Sequence, residues 1–168
     1  MNTEEFKRLL EKLKQGDKRA LEQLYTEYFG KIYTYALCKA RNRDLAYDAA
    51  MNVIMKLIYY PGDIDAIRNP AGLMMTMTKN VINDDFRHRS FCTPVDQTDL
   101  YRGTGPFESL WLEDILQVLT EEERNLFLEH TIWERPLRDI AKQQNKPYIT
   151  IRRMYHRVKE KIKSVYRE

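Results

Sequence analysis

Glycine, cysteine and long apolar runs are all scarce in this sequence of 168 residues. Only 6 glycines are present, about half of the ~7% average usage, which favours helices over a turn-rich β fold. No stretch approaches the ~18–20 consecutive apolar residues of a transmembrane helix. The first residues are acidic and amphipathic, without the basic start and apolar run of a signal peptide. These absences predict a cytoplasmic protein that does not insert into a membrane.

The two cysteines, Cys38 and Cys92, are too few for a disulfide framework and lack the spacing of metal ligands. Cys38 falls in a predicted helix, where it is expected to be a small core residue. The three histidines are far apart along the chain, so neither a metal site nor a cofactor is predicted. No glycine-rich phosphate loop is present, and no nucleophile stands beside a base at a recognisable spacing. The chain is therefore predicted not to be an enzyme.

Apolar residues recur at helical spacing along most of the chain, and no strand pattern of any length is present. Four helices are predicted before residue 90, and Asp17 and Asn69 are expected to begin the second and the fourth. The second is expected to bury Leu21, Leu24, Tyr25, Tyr28, Ile32, Tyr35 and Ala36. The fourth is expected to bury Leu73, Met74, Met77, Val81 and Phe86. The predicted fold class is all-α.

Residues 90–108 lose the helical periodicity and contain Pro94, Gly103, Gly105 and Pro106, which is typical of a linker. We therefore predict two small helical domains, residues 1–90 and 110–168, joined by a linker over residues 91–109. The second domain is expected to begin near Leu110-Trp111, with a capping box formed by Thr120 and Glu123 further on.

The basic charge is concentrated at the end of the chain. Residues 142–168 contain nine Lys and Arg against two Asp and Glu, whereas the whole chain carries only +3. Such a segment is typical of a surface that binds a polyanion. Cations are also favoured at a helix C-terminus by the helix dipole, so the charge alone leaves a solvated helix end equally open.

A short helix, a tight turn at Asn145-Lys146-Pro147 and a longer helix at the end of the chain form the pattern of a helix-turn-helix unit. The second helix of such a unit enters the major groove of DNA. If Ile151, Tyr155 and Val158 face the core, polar residues occupy the other faces. The residues expected to contact an upstream DNA element are Tyr148, Thr150, Arg152, Arg153, His156 and Arg157. An ordinary helical hairpin with solvated lysines is the alternative.

Four segments in order give the chain a resemblance, over nearly its full length, to the extracytoplasmic-function group of bacterial sigma factors. The first is the run from Gly16 to Tyr25, and the second is Ala46-Tyr47-Asp48-Ala49-Ala50. The third runs from Pro70 through Lys79-Asn80 to Arg87. The fourth extends from Asp139-Ile140-Ala141 to His156-Arg157.

This resemblance implies a non-enzymatic subunit that directs RNA polymerase core to specific promoters and initiates transcription. It implies that Asp48, Asn52 and Lys56 bind the polymerase, and that the first domain binds the downstream promoter element. The residues implied in that DNA contact are Lys79, Asn80, Asn83, Asp84 and Arg87. A flipped base would lie in a pocket made by the loop from Tyr59 to Asn69, where Tyr59 and Tyr60 either stack on bases or cap the core. An anti-sigma factor would be a further partner.

The chain departs from the family pattern at Tyr47, Met51, Asn52 and Ile58, all around the expected polymerase contact. These departures support an alternative: a stand-alone helix-turn-helix transcriptional regulator whose N-terminal helical domain senses a signal or dimerises.

Overall fold

The computed structural model describes residues 2–90, 115 and 117–165, with side chains up to residue 87 in the first range. The chain divides into two compact units, Met1–Thr104 and Gly105–Glu168. The point of division falls within the predicted linker, residues 91–109. That linker and the expected domain start at Leu110-Trp111 lie outside the described residues. All the described elements are helices and none is a strand, which confirms the all-α prediction. None of the helices described is long and apolar enough to cross a membrane.

The described helices of the first unit are α1 Thr3–Lys14, α2 Lys18–Leu24, α3 Gly30–Ala40, α4 Arg43–Ile58 and α5 Pro70–Ser90. A π-helical segment, Tyr25–Phe29, joins α2 directly to α3, so the chain stays helical through Gly30. The helices α3, α4 and α5 pack against one another, and α1 contacts α2 and α4. Small residues on α4, Ala46, Ala49 and Ala50, are buried, and they permit the close approach of a neighbouring helix.

Local sequence signals set the helix boundaries of the first unit. Gly16 ends α1 at φ +78°, a left-handed conformation that glycine adopts without steric cost. The Asp17 carboxylate accepts hydrogen bonds from the N–H groups of Arg19 and Ala20, which confirms it as the N-cap of α2. The Asn69 side chain accepts from Gly72 N at 3.0 Å, as expected for the residue that begins α5.

Most of the predicted core of this unit is buried, including Cys38 and all four apolar residues of α1. The second and fourth predicted helices differ in part. Leu21 and Tyr25 are each 41% exposed, and Phe86 is 48% exposed, so their predicted burial is wrong. These three residues lie on the margins of the buried helix faces, where apolarity does not reveal whether a neighbouring helix covers the position.

The buried face of α5 is rotated relative to the prediction. Met74 and Val81 are buried as expected, whereas Leu73 and Met77 are only partly covered. Met75, Thr78 and Ile82 are buried in addition. Thr78 is tolerated inside because its hydroxyl donates to Met74 O at 2.7 Å. Because several apolar residues on this helix are adjacent in sequence, the sequence pattern did not determine which side of α5 is buried. Packing against α3 and α4 determines it.

The described helices of the second unit are α6 Glu121–Phe127, α7 Leu137–Gln143 and α8 Tyr148–Val165, with a π-helical segment, Leu128–Ile132, after α6. Their shared core contains Leu126, Ile140, Ala141, Ile151 and Met154. The predicted capping box is present, because Thr120 and Glu123 each accept a hydrogen bond from the other's backbone N–H.

The connection between α7 and α8 is a helix C-cap followed by Pro147. Asn145 has φ +51°, Lys146 N–H donates to Ala141 O at 3.0 Å, and Asn145 N–H donates to Lys142 O at 3.2 Å. These two bonds form a Schellman motif with Asn145 in the left-handed position. The turn thereby fixes the direction in which α8 leaves α7.

Candidate nucleic-acid interface

The rotation of α8 is fixed by its buried side. Ile151 and Val158 are fully buried and Met154 is 8% exposed, so these residues anchor one face of the helix. Positions i, i+3, i+4 and i+7 share a helix face. On α8 this spacing places Arg152, Arg153 and His156 together on the face opposite the core, and all three are exposed.

All six residues expected at the upstream DNA element are exposed. Arg152, Arg153 and His156 occupy the middle of the outward face, and Thr150 and Arg157 lie on one flank. Tyr148 lies on the other flank and is 42% exposed. The structure thus places these predicted residues on one continuous surface of α8, which we call the α8 outer face.

The basic side chains of α8 differ in how far they are already engaged in ion pairs. Arg152, Arg153 and Arg157 make no ion pair with any residue that the structure describes. By contrast, Lys161 Nζ lies 2.7 Å from Glu123 Oε2, and Lys163 Nζ lies 3.0 Å from Glu160 Oε1. The three arginines are therefore available to an incoming anion, whereas Lys161 and Lys163 are already paired.

A second basic surface, which the sequence patterns did not predict, adjoins the first turn of α8. The Arg138 guanidinium lies 5.6 Å from the centroid of the Tyr148 ring, within the range of a cation–π interaction. Arg138 and Lys142 are one turn apart on α7 and both are exposed. With Asn145 and Lys146 they line an open cavity of about 530 Å³. Their spacing of four residues in the predicted short helix before the Asn145-Lys146-Pro147 turn was the available signal.

The acidic side chain of Glu123 is paired inside the second unit with a lysine of α8. Glu123 is 5% exposed and accepts from Lys161 Nζ at 2.7 Å and from Thr120 N at 3.0 Å. Burial alone would raise the pKa of Glu123, but these hydrogen bonds and the charge of Lys161 lower its pKa below the usual value. The ionised carboxylate therefore links α6 to α8.

Glu129 and Arg135 form a second ion pair, with both side chains nearly covered. Burial raises the pKa of Glu129, and the charge and hydrogen bond of Arg135 offset part of that rise. His130 Nδ1 lies 2.7 Å from Arg135 O, and its ring meets Tyr155 edge-on at 4.6 Å. These contacts fix the segment between α6 and α7 against α8.

In the first unit, the residues expected at the downstream element lie along one exposed stripe of α5: Lys79, Asn80, Asn83, Asp84 and Arg87. Asp84 and Arg87 are 4.0 Å apart, a weak pair between well exposed side chains. The two asparagine amides offer donors and acceptors on the same stripe.

The loop between α4 and α5 is anchored at both sides of its bend. Ile64 and Ile67 are buried, and Lys7 Nζ on α1 donates to Asp65 O at 3.1 Å. Tyr59 is 74% exposed, so it does not cap the core, whereas Tyr60 is only partly exposed and its ring lies over Gly62. A Cβ at Gly62 would come within 2.7 Å of the Tyr60 ring, so this glycine permits the close approach.

The residues expected to bind polymerase, Asp48, Asn52 and Lys56, form an exposed stripe at spacings of four along α4. An apolar patch lies on the same helix, where Tyr47 is 44% and Met55 is 47% exposed.

The patch continues onto the neighbouring helix through aromatic contacts. Tyr25 stacks on Phe29 at 4.6 Å and shares a hydrogen bond with Tyr47. Burial and the adjacent Tyr47 hydroxyl raise the pKa of Tyr25, so its phenol is neutral at physiological pH. We call Leu21, Tyr25, Tyr47 and Met55 the apolar patch.

A narrow recess of the first unit lies beside the residues expected to bind polymerase. The recess beside Asp48 and Asn52 has a volume of about 30 Å³, roughly the share of one water in liquid. No group of three or more potential metal ligands exists among the residues described. Neither protein-family models nor the curated protein sequences give any match to this chain.

Proposed function

We propose that this protein is a promoter-specificity subunit of RNA polymerase, similar to the extracytoplasmic-function sigma factors. The observation that carries the proposal is the α8 outer face, where Arg152, Arg153 and His156 are exposed without ion pairs to described residues. The order of the four family-like segments along the sequence supports the same function.

In the proposed mechanism, α8 enters the major groove of the upstream promoter element. Arginine donates two hydrogen bonds to the O6 and N7 atoms of guanine, and each such pair discriminates by ~1–3 kcal/mol against a wrong base. Arg152 and Arg153 are the candidates for this contact. Arg138 and Lys142 lie beside the first turn of α8 and suit the phosphates, which supply affinity without sequence information.

The first unit would hold polymerase core through the Asp48–Lys56 stripe and contact the unpaired strand of the downstream element. Asn80 and Asn83 are free to hydrogen-bond to base edges, and the exposed Tyr59 ring is free to stack on a base. A base that leaves the duplex costs a few kcal/mol of unpairing, which stacking partly recovers. Two weak DNA contacts on one chain gain affinity through effective concentration.

A second candidate function is a stand-alone helix-turn-helix regulator. The apolar patch supports it, because exposed apolar side chains such as the contacting pair Tyr25 and Tyr47 are typical of a protein-binding surface, and a second copy of the chain would be one occupant. Such a regulator would bind its duplex without polymerase and would self-associate through the first unit.

Purified core polymerase separates the two candidates. We expect the full chain to co-elute with core and to support transcription from promoters that the assembled enzyme selects from a random duplex library. Replacement of Arg152 and Arg153 by Ala should then lower transcription from a selected promoter at least about ten-fold, given ~1–3 kcal/mol for each guanine contact.

The matched control removes the same two charges elsewhere, with Arg8→Ala and Arg19→Ala on exposed positions of α1 and α2. This control should retain selected transcription. Self-association and duplex binding without any association with core would favour the stand-alone regulator instead. Unaltered transcription by the double variant of α8 would refute the assignment of the recognition helix.

A further inference from the structure

Ile149 is an apolar residue on an otherwise polar surface. It is 50% exposed, and no described large apolar side chain of the second unit is more exposed. It lies three, four and seven residues before Arg152, Arg153 and His156, so it belongs to the α8 outer face. A single exposed isoleucine is ordinary on a protein surface. This one, however, lies in the first turn of α8, the part of a recognition helix that comes nearest to base edges.

The geometry points to Ile149 as a specificity-determining residue that contacts the C5-methyl group of a thymine in the upstream element. This inference rests on the proposed function and deepens it. Thymine is the one standard base that presents a methyl group in the major groove, and the other features there are hydrogen-bond donors and acceptors. Isoleucine can satisfy none of those polar groups, so it would displace water from them without replacing the hydrogen bond.

The local structure suits a precise apolar contact. An isoleucine in a helix has one strongly preferred χ1 rotamer, so it loses little freedom when it meets a base. The buried anchors Ile151 and Met154 fix the rotation of the helix on which it stands. The neighbouring Tyr148 ring is held by Arg138 at 5.6 Å, which limits the space on that side. With the arginines one turn further on, the surface matches a thymine next to base pairs that arginine reads.

The test replaces single thymines by uracil, which removes only the methyl group. Duplexes are first selected by the full chain with polymerase core from unmethylated DNA, so that thymine is the only source of a C5-methyl. Each thymine of the selected upstream element is then replaced in turn. At one position we expect wild-type affinity to fall about four-fold, which is equivalent to the ~0.8 kcal/mol of one buried CH₂ group.

Three variants complete the cycle. Ile149→Ala should bind the thymine and uracil duplexes equally, while Ile149→Val, which keeps a branched apolar side chain, should retain most of the discrimination. The control Val118→Ala removes an exposed apolar side chain of the same unit that does not belong to the α8 outer face, and it should discriminate as wild type does. Circular dichroism checks that the Ile149 variants remain helical.

The outcomes separate this inference from the proposed function. If the wild type selects no sequence at all, both fail together. If it selects a sequence in a manner that depends on Arg152 and Arg153, but no uracil replacement weakens binding, the thymine contact alone is overturned. The thymine contact is likewise overturned if Ile149→Ala keeps the full preference for thymine over uracil.

Discussion

At the scale of single residues, Glu123 makes two structural interactions at once. Its side chain completes the capping box of α6 and accepts from Lys161 on α8 at 2.7 Å. Because the fold lowers its pKa, the folded chain binds a proton less readily at this site than the unfolded chain does. The stabilisation is therefore complete above the usual pKa of 4.5 and is lost as the pH falls through the lower folded value.

We predict that Glu123→Gln lowers the free energy of unfolding of the second unit by about 1 kcal/mol at neutral pH. The difference from wild type should shrink below the usual pKa of the carboxylate. Both tryptophans, Trp111 and Trp133, belong to residues 105–168, so tryptophan fluorescence during urea unfolding reports on this unit. Glu122→Gln is the control, since its side chain is 71% exposed in its pair with Lys146 and should contribute little. If the difference in unfolding free energy between wild type and Glu123→Gln did not change with pH, the negative charge of Glu123 would not be the source of the stabilisation.

At the scale of elements, the turn between α7 and α8 determines the direction in which α8 leaves α7. Asn145 holds φ +51°, and the bonds on either side of it close the C-terminus of α7. A left-handed conformation costs most residues roughly 1–2 kcal/mol of conformational free energy. Glycine has almost no such cost, and asparagine adopts this conformation more readily than most other residues. The identity of this one residue therefore affects the stability of the whole unit.

Replacement of Asn145 by Ala should lower the stability of the second unit by about 1 kcal/mol, while Asn145→Gly should leave it unchanged or slightly higher. Urea unfolding followed by tryptophan fluorescence measures both. The matched control is Gly16→Ala, which introduces the same kind of strain at φ +78° in a position with no atom within 4 Å of the new Cβ. That change should lower the stability of the first unit, seen by circular dichroism. Equal stabilities of Asn145→Ala and Asn145→Gly would contradict the role of the left-handed turn.

At the scale of the whole molecule, charge is distributed more unevenly than the net value of +3 suggests. Two acidic residues of the second unit, Glu123 and Glu129, are engaged internally in the pairs Glu123–Lys161 and Glu129–Arg135. Arginines on the α8 outer face, together with Arg138 and Lys142, are left to the solvent side. The molecule therefore presents a localised cationic surface that its overall composition conceals.

The salt dependence of duplex binding tests this distribution. Each phosphate contact contributes ~0.9 to the slope of log affinity against log salt concentration. Lys142→Ala should reduce the slope by about 1 and weaken all duplexes alike. The comparison is Lys163→Ala, whose ammonium already lies 3.0 Å from Glu160 and should affect the slope less. An unchanged slope for Lys142→Ala would remove this residue from the DNA surface.

The two units should also be separable in function. Asp48→Ala with Lys56→Ala leaves the net charge unchanged and alters only exposed side chains of α4. We expect this double variant to co-elute less with polymerase core while its own duplex binding stays as in wild type. Glu11→Ala with Lys12→Ala on α1 is the matched control. Unaffected core binding would remove Asp48 and Lys56 from the proposed polymerase contact.

The helix ends and most of the cores followed from local patterns. Asp17, Asn69 and the Thr120–Glu123 capping box could be predicted because a cap is satisfied within a few residues of itself. The exposure of Phe86 could not be predicted, since it depends on whether another helix covers this side chain. The candidate site divided in the same way. The exposed residues of α8 were predictable from one helix, but the stacking of Arg138 on Tyr148 joins two helices.

The sequence alone is enough to make this chain helical, because helical periodicity and capping depend on residues three or four positions apart. It also determined that the basic charge gathers near the C-terminus. The packing of the helices selected which lysines are engaged internally, which arginines remain available and how α5 is rotated. Those outcomes depend on contacts between residues far apart in the chain, and such contacts are fixed only when the helices pack together.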